Sequence, residues 1–339
     1  MDKNISQLFE KMVHGDRVAL GQAMTLVESD RENDRIAAIQ LLEWCETFLN
    51  KNDPSIRLAI SGAPGVGKSS LIEAIGLKAI DRGHKVGVIT IDPTSTFSRG
   101  SILGDKSRMT GLSTNSSAFI RSSPAGSVLG GMGRRSHELI TLLAAVGYDF
   151  IFVETVGVGQ SEHMAWQLTD GFVLVVQPGG GDELQGIKRG ITELADMVIV
   201  NKADGSMVDM AKLTKSHYAN ALHYFQSLRS GWEPQIVSCS ANEGTGIDEV
   251  LDMFRLYKKG IQESGMLPAE RKKQKIAWLN WTLGITAHEL LMKHPVVSQQ
   301  LSEATKNNEL LNLSVFKTAY DIELQMKQLI TSTNQNIES

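Results

Sequence analysis

The run GAPGVGKS at residues 62–69 constrains the fold more than any other feature of this chain. It fits the pattern G-x-x-x-x-G-K-[ST] and lies between a short apolar run, Arg57–Ser61, and a segment of helical spacing, Ser70–Asp81. A phosphate-binding loop requires this strand–loop–helix context, because the loop N–H groups and the positive end of the helix bind the anion together. The sequence therefore predicts a P-loop.

Nine consecutive residues are expected to bind the phosphates of a nucleotide. Glycines allow the backbone to approach the phosphates closely, Lys68 would reach the β- and γ-phosphates, and the Ser69 hydroxyl would bind Mg²⁺. The predicted set is Gly62, Ala63, Pro64, Gly65, Val66, Gly67, Lys68, Ser69 and Ser70.

Apolar runs of strand length alternate with helical segments between residues 56 and about 260. Because several of these runs are continuously apolar, they favour a parallel sheet covered on both faces, in a doubly wound, mostly parallel α/β domain. The predicted strands are Arg57–Ser61, Val86–Asp92, Ala118–Arg121, Asp149–Glu154, Gly171–Gln177, Met197–Asn201 and Gln235–Cys239. The predicted helices cover residues 67–81, 134–146, 183–195, 206–229 and 246–260.

The 339 residues exceed one average domain, and helical extensions are expected on both sides of the α/β domain. We predict an N-terminal helical extension over 1–55, the nucleotide-binding domain over 56–262, and a C-terminal helical dimerisation region over 263–339. Apolar residues recur at helical spacing from Asp34 to Asn50, either to pack on the core or to meet a partner. The apolar C-terminal helices either pack on a second subunit or fold back on the core.

Composition and charge limit the possible partners and compartments. A formal net charge of −4 gives no reason to expect a nucleic-acid partner. The two cysteines cannot build a disulfide framework, and the N-terminus lacks the apolar core of a secretory signal. Because the longest apolar run is too short to span a bilayer, we expect no membrane partner. The expected location is cytoplasmic, or a compartment matrix if a transit peptide has been removed.

The residues Asn201, Lys202, Ala203 and Asp204 follow the apolar run 197–200 and match the guanine motif N-K-x-D. A carboxylate at the last position accepts two hydrogen bonds from guanine, and adenine would leave it unpaired at a large cost. The residues Cys239, Ser240 and Ala241 end the next predicted strand and fit the S-A element whose backbone contacts guanine. The sequence therefore predicts specificity for GTP and GDP.

Carboxylates at or beside the ends of other predicted strands suit Mg²⁺, which prefers oxygen ligands. Glu154 follows the run 150–153, and Gly157 behind it is expected to meet the γ-phosphate. Asp92 ends another predicted strand, and Asp105 lies in a loop expected to sense the nucleotide, with a solvated loop acid as the lesser alternative. Together with Ser69, these three carboxylates are the predicted metal ligands.

A glycine-rich stretch, residues 179–181, follows the strand predicted to end at Gln177 and precedes a predicted helix that contains Lys188. Such a loop could respond to the nucleotide, and the lysine could add positive charge during hydrolysis. The simpler interpretation, a solvated helix residue, stays open for Lys188. Lys68, Asp92, Glu154 and Lys188 form the predicted catalytic set.

These motifs together resemble the MeaB/ArgK group of GTPases over about residues 10–260. The most specific strings are IDPTS at 91–95, GSILGDKSRM at 100–109, VETVGVGQSE at 153–162, PGGGDELQGIKRG at 178–190 and NKADG at 201–205. The resemblance implies a SIMIBI-type P-loop GTPase that acts as a chaperone of adenosylcobalamin-dependent acyl-CoA mutases, chiefly methylmalonyl-CoA mutase. It also implies a homodimer, and a nucleotide switch at 177–188. The chain departs from the group at Arg99, where a glycine is common, which bears on the flexibility of that loop.

Three other interpretations remain open. One is an ATP-dependent kinase linked to amino-acid transport, against which the guanine motif argues. Another is a nickel-delivering metallochaperone GTPase, although Cys45 and Cys239 stand apart and the eight histidines form no ligand-spaced pair. The third is a nucleotide-dependent binding module with negligible turnover, since no residue is clearly placed to orient the attacking water.

Overall fold

The computed structural model describes residues 3–92, 108–124, 135–155, 160–179, 189–223, 232–295 and 297–299, together with residues 302, 320 and 323–324. The chain divides into two compact units, Met1–Ile276 and Ala277–Ser339. The sheet, the N-terminal helices and every predicted nucleotide-binding residue belong to the first unit.

Seven parallel strands form one sheet in the order β3-β2-β4-β1-β5-β6-β7. The strands are β1 (Ile56–Ser61), β2 (Val86–Asp92), β3 (Ala118–Pro124), β4 (Phe150–Glu154), β5 (Gly171–Val176), β6 (Met197–Val200) and β7 (Gln235–Ser238). All seven predicted strands are therefore confirmed, with bounds within a few residues. Because β1 lies at the centre between β4 and β5, the loop that follows it opens at the middle of the carboxyl edge.

Helices cover both faces of the sheet, as the continuously buried strands β1, β5 and β6 require. In chain order they are α1 (Lys3–Val13), α2 (Arg17–Glu28), α3 (Glu32–Leu49), α4 (Lys68–Asp81), α5 (Thr110–Thr114), α6 (Ser136–Ala145), α7 (Gln160–Leu168), α8 (Arg189–Glu193), α9 (Val208–His223), α10 (Ile247–Glu263) and α11 (Met266–Lys293). The predicted face of α4 is confirmed, since Leu71, Ile75 and Ala79 are fully buried.

Two of these helices, α5 and α7, were not predicted. Helix α5 has only five residues, too few to show a helical period. Helix α7 has a polar sequence, QSEHMAWQL, and its burial comes from its position beside β1 and β5. The predicted helix 183–195 is described only as α8, because residues 180–188 lie outside the described part of the chain.

The N-terminal extension packs against the α/β core, which answers one of the two expectations for it. Helices α2 and α3 both contact α6, and an ion pair joins Glu28 on α2 to Arg121 on β3. Cys45 on α3 is buried, and burial raises the pKa of its thiol to about 12. The apolar stripe of α3 is not wholly buried, because Ile36 and Ile39 point to solvent.

A buried ionic cluster lies at the amino edge of the sheet, where β1 and β5 begin. Arg271 donates to Asp170 Oδ1 and Oδ2 at 2.9 and 2.8 Å and to Asp53 Oδ2 at 2.6 Å. Arg57 donates from its backbone N to Asp170 Oδ2 at 2.9 Å and from its guanidinium to Asp53 Oδ2 at 2.7 Å. Burial alone would raise the pKa of Asp170, but the charges and hydrogen bonds of Arg271 and Arg57 lower it on balance.

The second unit contains the C-terminal half of α11 and the few described residues beyond it. Trp278 and Trp281 stack with their ring centroids 4.5 Å apart, and Leu279 and Leu283 are exposed. Helix α11 ends at Lys293, just before the predicted stop at Pro295. Most of the predicted last helix lies outside the described residues. Of the described helices, none combines the length and apolarity needed to cross a bilayer.

Candidate nucleotide site

Backbone geometry makes glycine necessary at two positions of the loop between β1 and α4. Gly67 has a φ of 90° directly before α4, and a Cβ there would lie 2.7 Å from Asn201 Nδ2. Gly62 has a φ of 150°, and a Cβ there would lie 2.2 Å from the carbonyl oxygen of Val175. A side chain at either position would push the loop off β5 or off the residues that follow β6.

Lys68 is almost completely buried in this loop and donates to two backbone carbonyls. Its Nζ lies 2.8 Å from Gly62 O and 3.2 Å from Ala63 O. Burial lowers the pKa of Lys68, and the negative charges of Glu154 and Glu162 partly offset that effect. Neutral carbonyls are weaker partners for an ammonium group than phosphate oxygens are, so Lys68 is held where a phosphate can take their place.

Two of the predicted Mg²⁺ ligands come into direct contact. Ser69 is the second residue of α4, and its Oγ donates to Glu154 Oε1 at the end of β4 over 2.7 Å. A hydroxyl and a carboxylate at this separation provide hard oxygen ligands of the kind that Mg²⁺ prefers. These two residues therefore fit an Mg²⁺ ion held with a nucleotide. Asp92 is the last residue of β2, which runs beside β4 with Thr90 opposite Glu154.

The side-chain amide of Asn201 links three segments of the site. Its Nδ2 donates to Val66 O in the P-loop at 2.9 Å. Its Oδ1 accepts from Ala241 N at 3.1 Å and from the Cys239 thiol at 3.8 Å. Burial raises the pKa of that thiol to about 12, so the group stays protonated and remains a donor. Asn201 thus fixes the P-loop against both predicted guanine-binding segments.

Lys202 spans the site from the loop after β6. It has a φ of 61°, the left-handed conformation that is uncommon for residues other than glycine. Its Nζ donates to Gly65 O at 2.5 Å and to Gln177 Oε1 at 3.4 Å. The backbone strain is consistent with a side chain that must reach over the P-loop toward the end of β5.

The carboxylate of Asp204 lies beside the predicted S-A element. Ser240 donates from its hydroxyl to Asp204 Oδ2, and Ser240 Oγ accepts from Glu243 N at 3.1 Å. The two segments also meet through the backbone, because Ala203 N donates to Cys239 O over 3.0 Å. The structure therefore brings the predicted base-recognising carboxylate and the S-A element together, although they are 36 residues apart in sequence.

Some predicted site residues fall outside the described part of the chain. These are Asp105, Gly157 and Lys188. For Asp92 only the backbone is described. Their predicted roles remain predictions.

One acidic residue near the site was not assigned a role from the sequence. Glu162 lies in the first turn of α7, is 1% exposed, and contributes its charge to the environment of Lys68. Its negative charge raises the pKa of Lys68 and so opposes the effect of burial on that group. Its signal in the sequence was weak, because a single Glu in a polar helix is usually solvated.

Together, the P-loop, the Ser69–Glu154 contact and the Asp204–Ser240 pair at one edge of a parallel sheet define a P-loop GTPase. The comparisons with known proteins then identify the family. A model of the family described as "Methylmalonyl Co-A mutase-associated GTPase MeaB" matches residues 20–296. The chain belongs to the MeaB family.

Curated relatives agree with this assignment. The chain is 39% identical over 304 residues to the mitochondrial methylmalonic aciduria type A homolog of Mus musculus, covering 88% of this chain and 73% of the relative. It is 40% identical over 278 residues to the GTPase ArgK of Escherichia coli, covering 82% and 83%. A probable GTPase of Mycobacterium bovis is 43% identical over 282 residues, covering 83% of each chain.

A solved structure shares the fold over nearly the whole length. It is a crystal structure of an LAO/AO transport system kinase, with 31% sequence identity and a TM-score of 0.74, covering 96% of this chain and 99% of that one. The predicted doubly wound P-loop fold is thereby confirmed at the level of architecture.

Proposed function

We propose that this GTPase is a chaperone of an adenosylcobalamin-dependent acyl-CoA mutase, methylmalonyl-CoA mutase or a close relative, and that it gates cofactor loading and protection. Membership of the MeaB family over residues 20–296 carries the proposal, because the family's description names an association with that mutase. The mouse relative's name refers to methylmalonic aciduria, which supports the same partner.

In the proposed reaction, water attacks the γ-phosphate of GTP and releases GDP and phosphate. The P-loop residues 62–70 and Gly157 bind the phosphates, and Lys68 neutralises the charge that develops on them. Ser69, Asp92, Asp105 and Glu154 would hold Mg²⁺, some of them through water, and the ion would offset the negative charge of the phosphates. Asn201, Lys202 and Asp204, with residues 239–241, hold the guanine base.

The nucleotide state is proposed to control the partner through residues 95–109 and 177–188. Both segments adjoin the phosphate end of the site in sequence, and Lys188 in the second adds charge once a partner has ordered it. Any partner that prefers one nucleotide state must also change nucleotide affinity by the same factor, and its contact with these segments is expected to change turnover as well.

A steady-state GTPase assay with and without purified methylmalonyl-CoA mutase from the same source tests the proposal. Turnover is expected to rise when the mutase is added, and a complex is expected on gel filtration in at least one nucleotide state. Lys188→Ala should blunt this stimulation more than it lowers basal turnover. Lys212→Ala is the matched control, because Lys212 is an exposed lysine that pairs only with Asp209 among the described residues. An unchanged rate without any complex would remove the mutase assignment.

We further propose that the protein is a cytoplasmic homodimer held by helices outside the sheet. Exposed apolar residues on the second unit, Leu279, Leu283 and Leu290, support this arrangement. Light scattering at micromolar concentration measures the mass directly. A particle that stays monomeric with GDP and with a GTP analogue would contradict the dimer.

A second candidate function is a kinase linked to amino-acid transport, supported by the name of the solved relative. The two functions differ in where the γ-phosphate goes. With labelled GTP, the chaperone releases all label as inorganic phosphate, whereas a kinase leaves label on a protein acceptor. Transfer of label to a transport protein, with ATP preferred over GTP, would favour the kinase.

A further inference from the structure

The short helix α5 is fixed to the P-loop helix α4 by a carboxylate. Glu73 on α4 accepts from Gly111 N at 2.6 Å through its Oε1 and from Leu112 N at 3.2 Å through its Oε2. Both N–H groups belong to the first turn of α5, where a helix has no partners of its own for them. Because the acceptor is charged, these hydrogen bonds are strong, and they hold the start of α5 against α4.

Close packing keeps the same segment in place. The side chain of Leu112 lies against Gly76 on α4, where a Cβ on the glycine would be 2.8 Å from Leu112 Cδ1. Met109, directly before α5, is fully buried in the hydrophobic cluster that also contains Val66 of the P-loop and Leu71 of α4. Residues 109–112 therefore have a defined position beside the P-loop and its helix.

Arg108 directly precedes this fixed segment, and its side chain is exposed. At about 1.5 Å per helical residue, Lys68 lies about 7.5 Å from Glu73 along α4, and the chain from Gly111 back to Arg108 can span about 10 Å. The phosphate end of α4 is thus within reach of the Arg108 side chain. The electrostatics agree, because burial lowers the pKa of Lys68 and the positive charge of Arg108 lowers it further.

Arg108 has no anionic partner within the described ranges, since no hydrogen bond or ion pair between described residues involves its guanidinium. Two cations at short range repel each other, and the carboxylates Glu154 and Glu162 offset only part of the effect at Lys68. A guanidinium suits phosphate oxygens because it offers a planar fork of donors. Arg108 and Lys68 therefore form a pair of cations that the terminal phosphates of a nucleotide would bridge.

We propose that Arg108 is a further catalytic residue of this GTPase, whose guanidinium binds the phosphate oxygens that gain negative charge during hydrolysis, and that Glu73 is the residue that positions it. Water attacks the γ-phosphorus, the bond from that phosphorus to the bridging oxygen breaks, and its electron pair leaves with GDP. The protons of the water pass to the released phosphate and to solvent. A cation held at those oxygens binds the transition state more strongly than the substrate. The inference rests on the proposed GTP hydrolysis and is independent of the mutase partner.

Steady-state phosphate release from GTP by the full-length protein measures the effect. Arg108→Ala should lower kcat by about tenfold to 100-fold, at or below the lower end for one oxyanion donor because the side chain is exposed to screening. KM should change by less than about threefold. Arg108→Lys should keep part of the rate, since lysine supplies the charge without the fork. The matched control is Arg255→Ala, an exposed arginine 3.9 Å from Asp252, which should leave kcat unchanged.

A transition-state analogue separates a catalytic role from a structural one. GDP with Mg²⁺ and aluminium fluoride mimics the phosphoryl group in transfer, and the fluoride should raise the affinity of the wild type for GDP by at least about tenfold. Arg108→Ala should lose most of that gain, while its affinity for GDP alone and its melting temperature stay close to those of the wild type. A residue that only supported the fold would lower all of these together.

Glu73→Gln tests the positioning role. The amide keeps the size of the side chain, but its NH₂ group cannot accept from a backbone N–H, so one of the two bonds to α5 is lost. Alone, this change should lower kcat by about threefold to tenfold. Combined with Arg108→Ala it should cause no further loss, because a positioning residue has no effect once the group that it positions is gone.

The inference is overturned if Arg108→Ala hydrolyses GTP at the wild-type rate, or if it loses affinity for GDP and for the aluminium fluoride complex by the same factor. An equal loss of kcat in Arg255→Ala, or an independent effect of Glu73→Gln in the double variant, would also contradict it. The mutase proposal fails by a different result, the lack of stimulation and of a complex, and that result leaves the basal rates of these variants unaffected.

Discussion

Charged side chains gather at both edges of the sheet, but their hydrogen-bond partners differ between the two edges. At the amino edge, Asp53, Arg57, Asp170 and Arg271 are bound mainly to one another, and the Asp170 side chain is fully buried. At the carboxyl edge, Lys68 donates to neutral backbone carbonyls, and the Ser69 hydroxyl donates a hydrogen bond to Glu154.

This difference shows how the same residue types come to serve stability or ligand binding. Charges that satisfy each other inside a fold are costly to disturb, because removing one leaves its partner buried and unpaired. Charges held by weaker partners can exchange those partners for phosphate and Mg²⁺ without a large reorganisation. Substitutions at the two edges should therefore separate folding stability from turnover.

The largest effect is expected at the amino edge. Asp170→Asn should lower the free energy of unfolding by about 3–5 kcal/mol, because Arg271 and Arg57 lose the fully buried one of their two counter-charges and keep only Asp53. Denaturant unfolding measures this, and nucleotide affinity of the folded fraction should change little. Asp252→Asn, in an exposed pair with Arg82, is the control and should cost about 0–1 kcal/mol. Similar costs for the two variants would contradict the distinction between the edges.

The stability that Asp170→Asn removes should depend on pH in a defined way. Since the pKa of Asp170 is lowered in the folded state, its stabilisation is fully present above its ordinary pKa of 3.8 and is lost as pH falls through the lower, folded value. The stability difference between wild type and Asp170→Asn should thus be constant near neutrality and shrink only below about pH 4. If the stability difference instead shrank between pH 8 and 6, a titratable group other than Asp170 would be responsible for it.

At the carboxyl edge, Lys68→Ala should reduce GTP turnover by about 100-fold to 1,000-fold, the cost of removing one donor from a developing charge. Its melting temperature should fall less than that of Asp170→Asn, since within the described ranges the hydrogen bonds of Lys68 go to two neutral backbone carbonyls. A phosphate-release assay and a thermal melt of the same sample measure both. Unimpaired turnover would show that the loop does not act on the γ-phosphate.

Base recognition should be the next most sensitive property. Asp204→Asn should weaken GTP binding by about 100-fold, because two hydrogen bonds to a charged acceptor are lost. Xanthosine triphosphate should bind better than to wild type, because the amide can donate where the carboxylate only accepts. Calorimetry with GTP, ATP and the xanthine nucleotide measures the shift. Asp209→Asn, an exposed aspartate on α9, is the control. If Asp204→Asn still preferred GTP over ATP as the wild type does, Asp204 would not be the residue that binds the guanine base.

The smallest effect should come from the residue that positions that carboxylate. Ser240→Ala removes the hydroxyl bound to Asp204 and to Glu243 N, and should weaken GTP binding by about threefold to tenfold. ATP affinity should not change, so calorimetry with both nucleotides isolates the effect on base recognition. Ser216→Ala on α9, an exposed serine, is the control. An equal loss for both nucleotides would indicate a structural role.

Local patterns in the sequence predicted the elements that carry strong periodicity or continuous burial. All seven strands and the helix after the P-loop were of this kind. The motifs at the strand ends gave the candidate site, in which the structure brings Ser69 to Glu154 and Asp204 to Ser240. Helices α5 and α7 were missed because one is too short and the other too polar for a period to show. The burial of Glu162 depends on tertiary packing, which no local pattern records.

The amino-edge cluster could not be predicted for a related reason. Asp53, Arg57, Asp170 and Arg271 are spread over 218 residues, and each alone resembles an ordinary surface charge. They come together only because β1 pairs with β5 and the start of α11 packs against the beginning of both strands. The exposure of Ile36 and Ile39 has the same origin, because the neighbours of α3 are set by distant parts of the chain.

The bonds of Asn201 have a consequence for how the protein is made. This one amide holds Val66, 135 residues earlier, and Ala241, 40 residues later. On the ribosome, the loop that contains Val66 emerges long before either partner exists, and contacts so distant in sequence form late. The nascent chain therefore cannot complete its nucleotide pocket until β7 and residue 241 have left the exit tunnel. GTP can therefore make its full set of phosphate and base contacts, and stabilise the fold through all of them, only in the finished domain.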